Sequence, residues 1–162
     1  MSGTRLSIDE LDTPVGTLRL QFDSDGLHAV TIVAGRRNEV HSAAGRSARY
    51  PYADAFKRYF AGDIDALTTL PIVLRGTDFQ QRVWGALRRI PPGTTQSYAE
   101  LAAGIGNRKA VRAVGSANGR NPLCVVVPCH RVIGADGSLG GFSAGLEVKR
   151  WLLQHEGAAF KA

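Results

Sequence analysis

The sequence predicts an α+β protein with a small N-terminal α/β unit over residues 1–71 and a mostly helical C-terminal domain with a helix-turn-helix over residues 72–162. Two observations predict this division. Apolar and polar residues alternate in strand fashion in the first half, whereas helical spacing of apolar residues prevails in the second. The 162 residues, of which 44% are hydrophobic and 21% charged, are enough for one ordinary domain or two small ones with a core.

The N-terminal unit begins with a hairpin signature. Apolar and polar residues alternate on both sides of Asp25 and Gly26, as in two strands joined by a tight turn. A helix is expected over residues 52–62, and residues 70–74 are expected to form one more strand. Residues 35–50 have no apolar period and are expected to form a loop of unassigned role. This half contains no catalytic motif, so its expected role is structural support.

The C-terminal domain is predicted to begin with a helix capped by Thr77 or Asp78. Pro91, Pro92 and Gly93 would end it. Four apolar residues of this helix fall on one face: Phe79, Val83, Leu87 and Ile90.

Two further helices are predicted close together. Ser97 followed three residues later by Glu100 is a capping box, so a short helix is expected to start at Ser97. After a Gly-containing turn, Asn107 would cap a second helix that ends at Gly119. Such a pair is typical of a helix-turn-helix, although most short helix pairs only pack together.

The composition of the second helix favours nucleic acid as its partner. Val111 and Val114 can face the core, while the other residues are cationic or very small: Arg108, Lys109, Ala110, Arg112, Ala113, Gly115, Ser116 and Ala117. Small side chains let a helix approach a surface closely, and Arg and Lys bind phosphates or enter grooves.

The charge distribution points the same way. Residues 1–71 carry 8 basic and 9 acidic side chains, whereas residues 72–162 carry 12 basic and 5 acidic ones. A generic solubilising surface is the plain alternative. A one-sided excess of positive charge favours a polyanionic partner, most often nucleic acid.

The termini and cysteines exclude several classes of protein. No apolar run reaches membrane-spanning length, and the N-terminus has no apolar segment typical of a secretion signal, so the cytoplasm is the expected compartment. Cys124 and Cys129 are too few and too close for a disulfide framework, and no histidines cluster with them in sequence as in a zinc site. A zinc site assembled by folding is the alternative that stays open. Free thiols in a reducing compartment are expected.

The segment VVVPCHRVIG indicates a presented thiol. Residues 123–127 are predicted to be a buried strand that Pro128 ends, which leaves Cys129 at the strand end beside His130. A nearby base converts a thiol into the reactive thiolate, and a histidine base needs a carboxylate behind it. Asp136 and Glu156 are the candidate carboxylates. An inert buried cysteine is the plain alternative, which suits Cys124 better than Cys129.

A last helix is predicted to end at Glu156. Its apolar face would contain Val148, Trp151, Leu152 and His155. Glu156 would then point off the packed face toward a buried histidine.

Much of the C-terminal half resembles one family. PCHRVIG together with DGSLGGFSAGLEVKRWLLQHEG is similar to the active-site region of the O6-alkylguanine-DNA alkyltransferases, also called methylated-DNA–protein-cysteine methyltransferases. The resemblance continues through GTDFQQRVWGAL, IPPGTTQSYAELA, RAVGSAN and NP. It covers residues 72–157 densely and the N-terminal half in outline, where it implies a ribonuclease H-like unit.

The resemblance implies a catalytic role for five residues. Cys129 would take the alkyl group, His130 would activate it through a water, and Glu156 would orient His130. Asn121 would brace the turn that carries the thiol. Tyr98 would crowd a phosphate and donate a proton to the departing guanine.

It also implies how DNA and base would be held. The helix carrying Arg108, Ala113 and Gly115 would enter the minor groove, and Arg112 would fill the gap left by the flipped nucleotide. The backbone around Cys129, Val132 and Ser143 would read the base edges, and the glycine-rich loop with Gly140 would wall the pocket.

Two departures from the family pattern narrow the expectation. Phe142 stands where many relatives carry tyrosine, which removes a polar contact and bears on the bulky lesions accepted. The N-terminal unit contains no cysteine, so the zinc site of some relatives is not expected, and no metal or diffusible cofactor is required.

The resemblance therefore implies single-turnover repair. A monomer would move the alkyl group of O6-alkylguanine, and of O4-alkylthymine, in double-stranded DNA to its own cysteine. Cooperative and independent binding to DNA are both open alternatives. The alternatives are a lesion-binding alkyltransferase-like sensor, a helix-turn-helix regulator and a cysteine hydrolase. The sensors lack the cysteine, the regulators carry extra domains, and a hydrolase would not explain the basic helix-turn-helix.

Overall fold

The computed structural model describes residues 5–33 and 52–161, so the loop predicted over residues 35–50 lies outside the described residues. The chain divides into two compact units. One consists of Met1–Leu74 and Pro122–Val126, and the other of Arg75–Asn121 and Val127–Ala162. The sequence predicted one boundary after residue 71. The five-residue return of the chain to the first unit was not foreseen.

The first unit is built on a three-stranded antiparallel sheet with one helix. The elements are β1 (Ser7–Thr13), β2 (Gly16–Asp23), β3 (Gly26–Val33) and α1 (Tyr52–Phe60), with the strands in the order β1-β2-β3. The predicted hairpin and helix are confirmed, and β1 was not predicted. Leu18, Leu20 and Phe22 of β2 are fully buried because alternate residues of a strand face the core.

Gly26 fits its place for two reasons. It follows the β2–β3 turn with φ 143°, and a Cβ there would lie 2.6 Å from the carbonyl oxygen of Pro71. Pro71 belongs to residues 70–74, for which the predicted strand is wrong. The segment makes only an isolated bridge between Leu27 and Ile72, because Pro71 has no N–H to continue a ladder.

The strand predicted over residues 123–127 is also wrong, although all five residues are buried. Only Leu123 pairs, in a bridge with Val30 of β3. Val125 then has φ 73°, a left-handed conformation that is unfavourable for a β-branched residue and breaks the extended backbone. The apolar run therefore reflects burial in a turn.

The second unit is mostly helical. Its elements are α2 (Asp78–Arg88), β4 (Gln96–Ser97), α3 (Tyr98–Gly104), α4 (Val111–Gly119), a 3₁₀ turn (Cys129–Arg131), β5 (Val132–Ile133) and α5 (Leu146–Glu156). The two short strands β4 and β5 pair in parallel. The Nε1 of Trp84 in α2 donates to the carbonyl of Ala117 in α4 at 2.9 Å, which fixes these helices against each other.

The helix starts test the capping predictions. Thr77 caps α2 and Ser97 caps α3, each in a reciprocal capping box, so the box at Ser97 and Glu100 is confirmed. The cap at Asn107 is wrong. Residues 107–110 form a separate turn, closed by Ala110 N–H donating to the Asn107 carbonyl at 3.0 Å, and α4 begins at Val111.

No helix within residues 5–33 and 52–161 is long and apolar enough to cross a membrane.

Candidate active site

Cys129 begins a tight buried turn. Pro128 precedes it, and the 3₁₀ turn Cys129–Arg131 replaces the predicted strand end. The backbone N–H of Cys129 and the Nδ2 of Asn121 both donate to the carbonyl of Val127, at 2.8 and 2.7 Å. Asn121 therefore braces the chain two residues before the cysteine, and the thiol is carried on a fixed backbone.

His130 is paired with Glu156 as the resemblance implied. The imidazole Nε2 lies 2.9 Å from Oε2 of Glu156, and both side chains are fully buried. The other carboxylate candidate, Asp136, is exposed and accepts from the backbone N–H and hydroxyl of Ser138. Only Glu156 is therefore the partner of this histidine.

Arg131 completes the cluster, a residue that sequence reasoning missed. Its Nε donates to Oε1 of Glu156 and its Nη2 donates to Oε2, both at 2.8 Å. Its Nη1 donates to the carbonyl of Ile90 at 2.7 Å. The buried carboxylate thus receives a two-pronged arginine contact, which is the strongest geometry for this pair.

The pKa shifts follow from burial and pairing. Burial raises the pKa of the Glu156 carboxyl, but the hydrogen bonds from Arg131 and His130 outweigh it and hold that pKa well below its usual range. Burial lowers the pKa of His130 against the opposing effect of Glu156, and the charges of Arg131 and Lys149 lower it further. His130 is therefore neutral at physiological pH.

The free ring nitrogen of His130 is the basic one. Nδ1 is buried and has no hydrogen-bond partner among the described residues. Because the Glu156 carboxylate holds a proton on Nε2, Nδ1 carries the lone pair. Nδ1 is therefore the ring nitrogen that can accept a proton.

Lys149 was also missed, because a lysine is ordinarily expected at the surface. It is fully buried in α5, and its Nζ donates to the carbonyls of Val132, Leu139 and Gly141. Burial lowers its pKa to about 8, while the charge of Cys129 acts in the opposite direction. This one ammonium ties β5 to the glycine-rich loop.

The burial of Lys149 corrects the predicted face of α5. Of the four residues predicted for the apolar face, Leu152 is buried, whereas Val148, Trp151 and His155 are only partly buried. The buried residues are Lys149, Leu152, Leu153 and Glu156. Glu156 therefore lies on the packed face, and it reaches His130 from there.

Cys129 lies at a pocket of about 220 Å³ in the second unit. The pocket is lined by Tyr98, Gly115, Asn118, Gly119, Cys129, Gly141, Phe142 and Ser143. Burial and the Cys129 charge raise the pKa of Tyr98, so its hydroxyl stays protonated. A Cβ at Gly140 would lie 3.3 Å from that hydroxyl, which requires a small residue beside it.

The predicted site residues separate into two groups. Tyr98, Gly115, Phe142 and Ser143 line the pocket with Cys129, and the carbonyl of the buried Val132 is held by Lys149. The cations of α4 and of the turn before it do not line the pocket. Arg108, in the turn before α4, and Arg112, in α4, are exposed.

The exposed side of α4 has the expected small residues with one correction. Ala113 is exposed, and Val111, which was expected in the core, is 38% exposed. Val114 is fully buried and holds the helix in place. The helix therefore presents Val111, Arg112 and Ala113 outward.

The described residues contain no group of three His, Cys, Asp or Glu side chains that could hold a metal ion. Cys124 and Cys129 are not joined in a disulfide.

The comparisons with known proteins agree on one family. Residues 78–158 match the model of the 6-O-methylguanine DNA methyltransferase DNA-binding domain. A protein of Methanosarcina acetivorans named methylated-DNA–protein-cysteine methyltransferase is 42% identical over 91% of this chain and 96% of its own length. A protein of the same name from Shigella flexneri is 50% identical over 65% of this chain and 61% of its own length.

Solved structures give the same result for the fold. The crystal structure of Mycobacterium tuberculosis OGT in complex with DNA matches with a TM-score of 0.81 at 43% identity, over 93% of this chain and 92% of that one. The O6-methylguanine methyltransferase of the same organism matches with a TM-score of 0.79 at 41% identity, over 94% and 93%.

Proposed function

The chain belongs to the family of the methylated-DNA–protein-cysteine methyltransferases, and from that membership we propose how its own residues repair DNA. The protein binds DNA and transfers the alkyl group of an alkylated base directly and irreversibly to one of its cysteines. The observation that carries the residue assignment is the buried Cys129–His130–Glu156 cluster at a pocket, in the same unit as an arginine-bearing helix. O6-alkylguanine in double-stranded DNA is the proposed substrate, with O4-alkylthymine as a second one.

The proposed reaction begins with activation of the thiol. The proton of Cys129 passes to Nδ1 of His130 through a water, and Glu156 stabilises the imidazolium that forms. The thiolate attacks the alkyl carbon, so a C–S bond forms as the bond from that carbon to O6 breaks. The electron pair of the broken bond goes to the guanine.

The departing guanine needs a proton, and Tyr98 is the proposed donor. Its raised pKa keeps the hydroxyl protonated within the same pocket as the thiol. Afterwards the proton held by the His130 imidazolium replaces the one that Tyr98 has donated, so both side chains are neutral again. Ordinary guanine is then left in the DNA.

The base must leave the stack before it can meet the thiol, which costs a few kcal/mol. We propose that Arg112 fills the gap in the duplex, since it is exposed on α4 beside the small residues Ala113 and Gly115. Arg108 contacts phosphate from the preceding turn. Tyr98 crowds a phosphate at the start of α3 and helps rotate the nucleotide outward.

The pocket then holds the extruded base. Phe142 supplies an apolar wall, the backbone at Val132 and Ser143 reads the base edges, and Gly140 gives room beside Tyr98. Asn121 keeps the nucleophile in place through its hydrogen bond to the Val127 carbonyl. All of these residues belong to the second unit.

The product is a thioether, which water does not hydrolyse under cellular conditions, so each molecule acts once. We propose that the acting species is a monomer. We place the reaction in the cytoplasm, because a nucleophilic thiol needs reducing surroundings. The first unit is proposed to be ribonuclease H-like structural support, in keeping with its sheet of three strands and one helix.

A lesion-binding sensor without turnover is the alternative. Cys129 and its complete His130–Glu156 partnership argue against it, because a sensor needs no activated thiol.

Intact-protein mass spectrometry tests the proposal. Protein is mixed with duplex DNA that contains one O6-methylguanine, with Cys129→Ser as the matched control. We expect the wild type to gain the mass of one methylene group, mapped to Cys129 and limited to one per chain. The Cys129→Ser variant should bind the same DNA and gain nothing. Tight lesion binding by the wild type without any mass gain would move the protein to the sensor class.

A further inference from the structure

Asn118 is a polar side chain at an apolar position. It lies in the last turns of α4, on the side of the helix where its buried neighbours are Val114 and Ala117. It is only 6% exposed, yet it lines the pocket that contains Cys129. None of the roles proposed above uses it.

In the carboxamide of Asn118, the nitrogen has a hydrogen-bond partner and the oxygen has none among the described residues. Its Nδ2 lies 3.5 Å from the backbone carbonyl oxygen of Cys129, a long hydrogen bond that places the nitrogen on this side, because a carbonyl can only accept. Its Oδ1 is buried and receives no hydrogen bond from any described residue. Buried acceptors in native proteins nearly always find a donor, so an unpaired one at a pocket indicates a ligand that brings the donor.

The chemistry of the proposed substrate identifies that donor. Alkylation at O6 removes the hydrogen from N1 of guanine, so N1, N3 and N7 of the base are all acceptors. The exocyclic 2-amino group is then the one N–H donor on the heterocycle. Of the groups on the alkylated base, only that amino group can therefore donate to an acceptor in the pocket.

We propose that Asn118 is a specificity-determining residue whose Oδ1 accepts a hydrogen bond from the 2-amino group of the extruded O6-alkylguanine. The inference rests on the proposed function, because it concerns the base that the pocket holds. The link to the Cys129 carbonyl makes the contact useful for the reaction. It places the amino-group acceptor next to the backbone of the nucleophile, so recognition of the base and alignment of the thiol depend on the same side chain.

The test compares two substrates within each protein. Single-turnover methyl transfer is timed on matched duplexes that contain O6-methylguanine or O6-methylhypoxanthine, which lacks only the 2-amino group. The ratio of the two rate constants is the readout. Because both duplexes are tested with the same protein preparation, any loss of folded protein affects both rate constants equally and cancels in their ratio.

The variants are Asn118→Leu, which keeps the approximate volume, and Asn118→Ala, which avoids a clash if leucine does not fit. Gln154→Leu is the matched control, since it removes an exposed carboxamide from α5 that does not line the pocket. We expect the wild type and Gln154→Leu to prefer O6-methylguanine by about tenfold or more, as for a site with a buried group left unpaired by the analogue. In both Asn118 variants the ratio of the two rate constants should fall several-fold. The remaining ratio would reflect the preference that the backbone contacts to the base provide alone.

The outcomes separate the two proposals. An unchanged preference in a folded Asn118 variant, or equal rates on both duplexes in the wild type, would overturn the role of Asn118 while leaving alkyl transfer intact. Absence of transfer from either duplex by the wild type would instead overturn the proposed function.

Discussion

Arg131 grips both carboxylate oxygens of Glu156, with Nε 2.8 Å from Oε1 and Nη2 2.8 Å from Oε2. The same Oε2 lies 2.9 Å from Nε2 of His130. The one buried carboxylate of Glu156 therefore binds both the Arg131 guanidinium and the imidazole of His130, the proposed base. Its orientation toward the histidine is set by the arginine rather than by solvent.

Replacing Arg131 with methionine is expected to lower the free energy of unfolding by about 3–5 kcal/mol, because Glu156 would remain as an unpaired buried charge. Urea denaturation measures this loss. Arg58→Met is the control, since it breaks a 3.6 Å pair with Asp63 in which both side chains are largely exposed, and should cost less than about 1 kcal/mol. Similar losses in the two variants would contradict the importance of burial.

Acid is expected to destabilise the protein in two steps. Folding lowers the pKa of His130 below 6.5, so the unfolded chain takes up a proton first and stability falls as the pH drops through that value. Folding also lowers the pKa of Glu156 below 4.5, so the stability that its pairing provides is complete above that pH and is lost on further acidification. Arg131 and Lys149 are the other charged groups beside these two.

Denaturation of Glu156→Gln at several pH values checks the second step. The variant should be less stable than the wild type at neutral pH, and the difference should shrink as the pH falls below 4.5. A difference that stays constant down to the lowest pH measured would show that the Glu156 charge does not stabilise the fold.

Arg112→Ala is expected to impair extrusion of the base more than DNA affinity. Fluorescence of 2-aminopurine next to the lesion should rise less on binding, because the gap in the stack is no longer filled. Arg108→Ala is the matched comparison, for which we expect weaker binding and a salt dependence reduced by about one counterion, with the fluorescence change per bound complex kept. Equal fluorescence changes in the two variants would contradict the proposal that Arg112 fills the gap left by the extruded base.

Ser97→Ala should destabilise the second unit by about 1 kcal/mol, because the Glu100 N–H loses the hydroxyl that accepts from it at 3.0 Å. Thermal unfolding measures the change, and Ser97→Thr, which keeps a capping hydroxyl, should restore most of it. No difference between alanine and threonine at this position would argue that the cap contributes nothing.

Local signals in the sequence predicted what depends on local chemistry. The capping box at Ser97 and Glu100 and the hairpin that turns at Asp25 and Gly26 each depend on residues close by in the sequence, so both could be predicted. Arg131 and Lys149 could not, because a buried cation depends on partners that only the fold brings near. The five apolar residues at 123–127 suggested a strand, since burial in a turn and burial in a sheet leave the same composition.

The segment Pro122–Val126 belongs to the first unit, and Cys129, the proposed nucleophile, follows it by three residues. Val30 N–H donates to the Pro122 carbonyl at 2.9 Å, and Leu123 pairs with Val30. A gene split at the boundary after residue 74 would leave the later fragment with four buried apolar residues, 123–126, separated from the strand with which Leu123 pairs. Each unit is compact, but neither is one continuous length of polypeptide. Fragmentation or recombination after residue 74 would therefore separate residues 122–126, which lead to Cys129, from the unit to which they belong.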